Sequence, residues 1–223
     1  MNGYRIAFIT DVHSMPIKRL AEITDNLNKK SVDLLVLGGD YPSSKENLRK
    51  SMETMSRIIS TDGIFGVEGN HDNYTDVLTV MNEYGINMLS NSGLYIQDNF
   101  YLAGVEELRN HNASIAVVTQ GALPEDFVLL IAHNPDISMQ QETGGVDLFL
   151  CGHTHGGQIT FFGIFGPALI PNFVTDYNQR FMSGWSESRD GTPVYVSNGV
   201  GTSFYMPRVF ARPQVILITL LNE

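Results

Sequence analysis

Seven side chains whose donor atoms can bind a metal ion fall within five short phrases of this chain. The phrases read Thr-Asp-Val-His, Gly-Gly-Asp, Gly-Asn-His-Asp, Ala-His-Asn and Gly-His-Thr-His, and the seven residues are Asp11, His13, Asp40, Asn70, His133, His153 and His155. Five of the six histidines lie in these phrases, and only His111 does not. An isolated aspartate or histidine is usually a capping or loop residue. Because all five clusters lie near predicted strand ends, they indicate a shared ion site.

The donor types indicate which ions such a site would hold. Carboxylate and amide oxygens with imidazole nitrogens, and no thiolate, favour Mn, Fe, Zn or a similar divalent ion over a structural cysteine-zinc site. Seven donors are too many for one catalytic ion but suit two ions sharing a carboxylate, about 3.5–4 Å apart. Only Asp11 and Asp40 carry charge, so two divalent ions leave the site at about +2, which suits an anionic phosphoryl group. Each pair of donors two residues apart, Asp11 with His13 and His153 with His155, would point to one side of an extended backbone.

The elements expected to position these phrases alternate between strand and helix in the first half of the chain. Apolar runs predict strands over residues 6–10, 33–37, 63–67, 127–132 and 146–150, each preceding a phrase. Helices are predicted over 17–29, 45–59 and 74–84, with a weaker one over 112–120. The second half favours β-structure, with a hairpin over 94–97 and 101–105 and strands over 180–185, 194–197 and 214–220. This pattern predicts two stacked sheets with helices outside, in a single domain spanning 1–223.

Composition excludes several classes of protein. With 14 Lys and Arg against 24 Asp and Glu, the net charge is −10, which lacks the basic footprint of a nucleic-acid-binding domain. The single cysteine, Cys151, excludes an internal disulfide, fits a reducing compartment and is expected to be a buried small hydrophobe. No apolar run is long enough to span a membrane, and the first predicted strand begins too early for a leader. A cytoplasmic protein is expected, with peripheral association with a membrane left open.

The five phrases, in this order along the chain, resemble those of the calcineurin-like metallophosphoesterases. The resemblance implies an α/β fold, a four-layer α/β/β/α sandwich of two mixed sheets flanked by helices, with a dinuclear site. One divalent ion (Mn, Fe or Zn) would be held by Asp11, His13, Asp40 and His155. The other would be held by Asp40, Asn70, His133 and His153, with Asp40 bridging the two.

The same resemblance implies roles for two further residues. His71 would face the phosphoryl oxygens or the leaving group as a general acid or charge-stabilising group, and would not bind a metal. Asp72 would orient the His71 imidazole. The implied reaction is hydrolysis of a phosphodiester, a pyrophosphate or an activated phosphomonoester through attack by a metal-bound hydroxide. The expected substrate is a small-molecule phosphoester, with nucleotides and lipid-linked molecules among the candidates.

Residues 152–158 and 197–201, with Arg208, resemble the small bacterial branch related to the UDP-2,3-diacylglucosamine pyrophosphohydrolases. Asp40 is followed by Tyr-Pro-Ser-Ser, where the superfamily's protein phosphatases have Asp-Arg-Gly, so protein phosphatase activity is not expected. The branch tends to carry an N-terminal membrane anchor, and its absence here argues against a membrane-bound substrate. Two rival functions are a nuclease, disfavoured by the charge, and a non-catalytic metal-binding scaffold, disfavoured because His71 is retained.

Two further segments allow more than one interpretation. The apolar stretch 161–171 follows the last histidine phrase and either packs over the second sheet, the simpler interpretation, or forms a wall that binds substrate. Glu106 and Glu107 follow a predicted strand and either reach the site or, on the simpler interpretation, are solvated carboxylates. His111 is expected in an exposed loop or at a helix start.

Overall fold

Two β-sheets organise the chain in a computed structural model that describes residues 1–110, 112–166, 174–203 and 206–221. The first sheet contains β1 (Tyr4–Ile9), β2 (Leu34–Leu37), β3 (Ile64–Gly66), β4 (Asn87–Met88) and β11 (Ile216–Leu220). Its order is β11-β1-β2-β3-β4. Strands β1 to β4 are parallel to their neighbours, and β11 pairs antiparallel with β1. Strand β11 is therefore an edge strand of this sheet and lies next to β1.

The second sheet is also mixed and has six strands. They are β5 (Ser92–Gln97), β6 (Phe100–Gly104), β7 (Phe127–Ile131), β8 (Leu148–Cys151), β9 (Gly184–Glu187) and β10 (Pro193–Val196). Its order is β5-β6-β7-β8-β10-β9. The four central strands run parallel, while the hairpin β5–β6 and the pair β9–β10 are antiparallel. Each sheet thus presents a parallel centre whose carboxyl ends share one edge.

Helices cover the outer face of each sheet. They are α1 (Ile17–Leu27), α2 (Lys45–Met55), α3 (Tyr74–Glu83), α4 (Ile115–Thr119) and α5 (Ile137–Gln140). The N-termini of α2 and α3 are fixed by side chains: Ser44 and Asn73 accept the backbone N–H groups of Asn47 and Asp76. None of the helices in the described ranges is long and apolar enough to cross a membrane.

Strand alternation divides the apolar core into three layers. In β1, Ile6 and Phe8 face the second sheet, where they pack with residues such as Leu129, whereas Ala7 and Ile9 face the helices α1 to α3. A third cluster lies between the second sheet and α4 and α5, and includes the buried Cys151. Apolar side chains project from both faces of each sheet, so each sheet packs against helices on one face and against the other sheet on the other. The molecule is therefore the predicted four-layer α/β/β/α sandwich.

The predicted elements differ from the observed ones mainly in the second half of the chain. Strand 180–185 is wrong in position: a 3₁₀ turn occupies Asn178–Phe181 and the strand is Gly184–Glu187. The helix expected from 112 begins at Ile115, after the N-cap Ser114. The short β4 and α5 were not predicted, since two and four residues are too few for a periodic pattern. His111 lies outside the described residues.

Asp136, the residue before α5, is a buried carboxyl that makes stability depend on pH. One oxygen accepts the Asp176 N–H at 2.8 Å, and the other has no hydrogen-bond partner among the described residues. Burial raises the pKa of Asp136 to about 6, and the nearby Asp176 charge adds to this effect. The folded chain therefore holds this proton more tightly than the unfolded chain, so stability falls as the pH rises through about 6.

We expect Asp136→Asn to be more stable than the parent at pH 7.5 by roughly 1–3 kcal/mol, because the amide keeps the acceptor and cannot ionise. The difference should shrink as the pH falls toward 4, where the parent carboxyl is protonated in the folded chain and about half protonated in the unfolded chain. Urea unfolding at both pH values, with chelator present, measures it. Asp98→Asn, at an exposed carboxyl, is the control. An Asp136→Asn effect that does not change with pH would contradict this account.

Candidate metal centre

The carboxyl ends of five parallel strands bring the five phrases together. Asp11, Asp40 and Asn70 follow β1, β2 and β3 of the first sheet, while the three histidines follow β7 and β8 of the second. Parallel strands deliver the residues that follow them to one edge of a sheet, and here the two edges lie against each other. All seven predicted donors are therefore placed at one site, with contributions from both sheets.

The first group of donors comprises Asp11, His13, Asp40 and His155, whose ligand atoms all lie within 4.8 Å of one another. His13 Nε2 is 3.2 Å from Asp40 Oδ2 and 3.1 Å from His155 Nε2. His155 Nε2 is in turn 3.3 Å from Asp11 Oδ1. Both carboxylates are buried, so an ion placed here would meet little competition from water.

The second group surrounds the Asn70 amide oxygen and shares Asp40 with the first. His133 Nε2 lies 3.1 Å from Asn70 Oδ1 and 3.4 Å from Asp40 Oδ2, and His153 Nδ1 lies 2.8 Å from the same Asn70 oxygen. The other nitrogen of each ring faces a backbone carbonyl: His133 Nδ1 that of Gly38 at 2.8 Å, and His153 Nε2 that of Val174 at 2.9 Å. With those nitrogens donating, the nitrogens facing Asn70 present lone pairs.

Several lone pairs thus converge without donors between them, which is the arrangement a cation requires. Protein ligands stand about 2.0–2.2 Å from a transition ion, so neighbouring donors in tetrahedral or octahedral geometry are separated by about 3.0–3.5 Å. Five of the six separations given above fall in that range, and the sixth, between His153 Nδ1 and Asn70 Oδ1, is slightly shorter at 2.8 Å. The donor set, nitrogen and oxygen without thiolate, also suits a catalytic divalent ion, so the residues present fit the implied metal.

Burial favours the neutral form of two of the histidines, and the neutral form is the one that binds a metal. Burial lowers the pKa of His153 and of His155 to about 4, and the neighbouring His13 and Arg208 charges assist at His155. At His133 burial also lowers the pKa, but the Asp40 carboxylate outweighs it and raises the pKa above its usual value. Burial would raise the Asp40 pKa, yet His133 and His13 hold it well below its usual range. A divalent ion bound here would take the place of the proton that Asp40 favours on His133.

The backbone of the ligand loops differs from the extended form predicted for the paired donors. Asp11, His13, His153 and His155 have positive φ values of 55°, 39°, 72° and 55°, and Asp40 has 57°. Left-handed backbone costs a non-glycine residue of order 1–3 kcal/mol, and such strain gathers at functional sites. The chain coils at the strand ends, so the prediction of extended backbone was wrong. Asp11 and His13 do meet in the first donor group, whereas His155 belongs to that group and His153 lies beside Asn70 in the second.

Asp72 ties together the two loops that carry Asp40 and Asn70. Its carboxylate accepts the backbone N–H groups of Asp40, Tyr41 and Gly69 at 2.7–2.8 Å. In return, Asp40 Oδ1 accepts the His71 N–H at 2.9 Å. The loops approach so closely that a Cβ on Gly39 would stand 2.6 Å from the Gly69 nitrogen. Asp72 thus fixes the loop that carries the Asp40 carboxylate; its predicted action on the His71 imidazole stays a prediction.

His71 stands at the mouth of the site and outside the donor clusters. Its side chain is exposed, and its ring centroid lies 5.5 Å from that of His13. A cavity of about 360 Å³ opens here, with His71, Asn70 and His153 on one side and Ile159 and Met206 on another. His71 can therefore reach a molecule bound over the donors.

Two features of the site escaped prediction from the sequence. Glu107, expected to be solvated, is buried, and its N–H donates to the buried Glu68 carboxylate at 3.3 Å. Burial raises the pKa of Glu68, and the Glu107 charge is among those that raise the pKa of His133. The second feature is Arg208, which donates to the carbonyls of His155, Asn198 and Gly201 at 2.7–2.8 Å. A polar residue far along the chain gives no signal in the sequence that its guanidinium reaches a ligand loop.

We expect Arg208→Lys to lower metal affinity by about 10–100-fold, because a single ammonium cannot span three carbonyls and the His155 loop would loosen. Isothermal titration of the metal-free protein with Mn(II) measures the change. Arg189→Lys is the matched control, since Arg189 is half exposed beside Asp190. If both variants bind Mn(II) like the parent, Arg208 does not position the site.

Comparisons with known proteins agree with this geometry. The family model described as calcineurin-like phosphoesterase matches residues 4–157. The chain is 28% identical over 243 residues to the Danio rerio transmembrane protein with metallophosphoesterase domain, covering 99% of this chain and 54% of that protein. It is 28% identical over 232 residues to phosphodiesterase YaeI of Escherichia coli, covering 98% and 82%. An uncharacterized metallophosphoesterase of Helicobacter pylori is 27% identical, with 98% and 60% covered.

Among solved structures, phosphopantetheinyl hydrolase from Mycobacterium tuberculosis superposes with a TM-score of 0.52 at 12% identity, covering 95% of this chain and 98% of that one. At that identity the likeness concerns the fold alone. The chain spans between 54% and 82% of the length of the three relatives named above.

Proposed function

This chain belongs to the calcineurin-like phosphoesterase family, and we propose that it is a metal-dependent phosphoric ester hydrolase that works with two divalent ions. The proposed substrates are phosphodiesters, pyrophosphates or activated phosphomonoesters of small molecules. The observation that carries the proposal is the pair of donor groups that share Asp40. A cytoplasmic location, expected from the single cysteine, belongs to the same proposal.

The proposed division of labour follows from the positions of the side chains. Asp11, His13 and His155 would hold one ion and Asn70, His133 and His153 the other, with Asp40 between them. Bound ions would lower the pKa of a coordinated water and offset the charge of the phosphoryl oxygens. His71, exposed at the cavity mouth, would donate a proton to the leaving oxygen or stabilise its charge.

The cavity favours an anionic substrate with a further substituent. Arg109 lines it, and the guanidinium makes no hydrogen bond or ion pair with any residue that the structure describes. Ile159 and Met206 form an apolar wall on another side. A phosphorus with only small substituents would leave this wall uncovered, which supports esters that carry a larger organic group.

The test is removal and return of the metal, with bis-p-nitrophenyl phosphate as substrate. We expect a chelator to abolish hydrolysis, Mn(II) to restore it, and metal analysis to find two ions per chain. Full activity in a metal-free sample would refute metal dependence, and one ion per active chain would refute the dinuclear site.

The two rival functions have their own tests. Cleavage of plasmid DNA at physiological salt would favour the nuclease, which the −10 charge opposes. A metal-loaded sample inert toward bis-p-nitrophenyl phosphate, cyclic nucleotides and UDP-sugar lipids would favour the scaffold.

A further inference from the structure

An uncharged apolar surface lies beside the candidate site. We call it the apolar lip; its members are Ile159, Phe161, Phe162, Ile164, Phe165, Met206, Val209 and Phe210, all exposed. The described part of the chain has 17 exposed large hydrophobic residues, and eight of them fall in these two short segments. Single exposed hydrophobics are ordinary, but such a concentration marks an interaction surface. The interpretation of 161–171 as packed is therefore wrong for 161–165; residues 167–171 lie outside the described ranges.

The lip is held in shape by its own backbone and rings. Ile159 forms β-bridges with Val209 and Phe210, and Thr160 N–H donates to the Val209 carbonyl at 2.9 Å. The Phe162 ring lies 4.6 Å from that of Phe161 and 5.5 Å from that of Phe210. The aromatic cluster is thus presented to solvent by two cross-linked segments. A surface arranged in this way is suited to burial against another apolar phase.

The charges around the lip indicate which phase. No charged residue occurs from 156 to 166. The one cation between 206 and 211 is Arg208, and its guanidinium donates hydrogen bonds to backbone carbonyls. Two copies of the chain, each with a net charge of −10, would repel each other. An anionic membrane would repel the chain for the same reason. An uncharged or zwitterionic lipid surface meets the lip without that repulsion.

We propose that the apolar lip docks the protein on a zwitterionic lipid surface and so places the candidate metal centre at that interface. Ile159 and Met206 belong both to the lip and to the wall of the cavity above the donors. A molecule anchored in the surface by its apolar part would therefore meet the cavity with its phosphate. That second step rests on the proposed function, whereas docking itself does not.

The experiment is sedimentation of the full chain with phosphatidylcholine vesicles. We expect the parent to bind and Phe161→Ser/Phe162→Ser to lose at least about tenfold in partition, since each phenylalanine contributes a large apolar area. Trp185→Ser is the matched control: Trp185 is 65% exposed on β9, while Phe161 and Phe162 are each 66% exposed. The control should bind like the parent, and all three should hydrolyse the soluble bis-p-nitrophenyl phosphate alike, because neither phenylalanine lines the cavity.

A spectroscopic measurement covers the case in which the double variant folds poorly. The chain has a single tryptophan, so Phe162→Trp in a Trp185→Phe background reports on the lip alone. We expect its emission to shift to the blue with phosphatidylcholine vesicles and to be quenched by brominated lipid. No shift, or a parent that does not sediment with the vesicles, overturns the proposal, as does a dimer in sedimentation velocity that the lip variant dissociates. Unchanged hydrolysis in that case would leave the proposed function intact.

Discussion

Asp40→Asn is expected to abolish hydrolysis and to weaken both metal positions together. The Asp40 carboxylate lies 3.2 Å from His13 Nε2 and 3.4 Å from His133 Nε2, one from each donor group. An amide offers one neutral oxygen, so it would bind each of the two proposed ions more weakly than the carboxylate would. The loss of metal affinity should be larger than the loss of about 10–100-fold that follows removal of a hydrogen bond supporting a metal ligand. Metal content by mass spectrometry and turnover of bis-p-nitrophenyl phosphate measure the two effects.

Asp62→Asn is a suitable control for that experiment. Asp62 precedes β3, accepts a hydrogen bond from the Tyr4 hydroxyl at 2.6 Å, and lies at the other end of the strands from the donors. The Asp62→Asn variant should have the same metal content and the same turnover as the parent. Should Asp40→Asn lose only one ion, the carboxylate would be a ligand of a single position and the shared site would be excluded.

His71→Ala is expected to lower turnover by about 10²–10⁴-fold while both proposed ions stay bound, because the imidazole is proposed to act on the substrate and not on the metal. Its exposure at the cavity mouth and its place outside the donor clusters are the reasons. The backbone N–H of residue 71 still donates to Asp40 in the variant, so the loop is retained. Turnover and metal content must be measured on the same sample.

Tyr74→Ala provides the comparison for a change near the same loop, since Tyr74 is an exposed residue at the start of α3. It should leave turnover within a small factor of the parent. Metal loss in His71→Ala would make His71 a ligand, and unchanged turnover would remove it from the mechanism.

The layers of the fold followed from the sequence because their signals are local. A run such as Leu34–Leu37 is apolar on both faces, and this alone predicts a strand buried between two layers. Strand β11 was predicted as an element, but its pairing with β1 was not, since that contact joins the two ends of the chain. Partners so distant in sequence leave no periodic trace.

The gathering of the seven donors was predicted for a similar reason: each phrase follows a strand of a parallel array. Their backbone was not, because left-handed φ at aspartate and histidine depends on tertiary contacts such as the Asp11 N–H donating to the Gly39 carbonyl. The roles of Arg208 and Glu107 were also out of reach. Nothing adjacent in sequence distinguishes a buried guanidinium or carboxylate from a solvated one.

The origin of the donors in both layers has a mechanical consequence. Asp11, Asp40 and Asn70 come from one sheet and His133, His153 and His155 from the other. Bound ions would therefore cross-link the two sheets. Any species that binds only the folded chain raises its melting temperature in proportion to the logarithm of its concentration. Scarcity of metal in a cell would then lower the stability of the fold as well as the activity. The metal-free protein would be more easily cleaved by proteases where the two sheets meet.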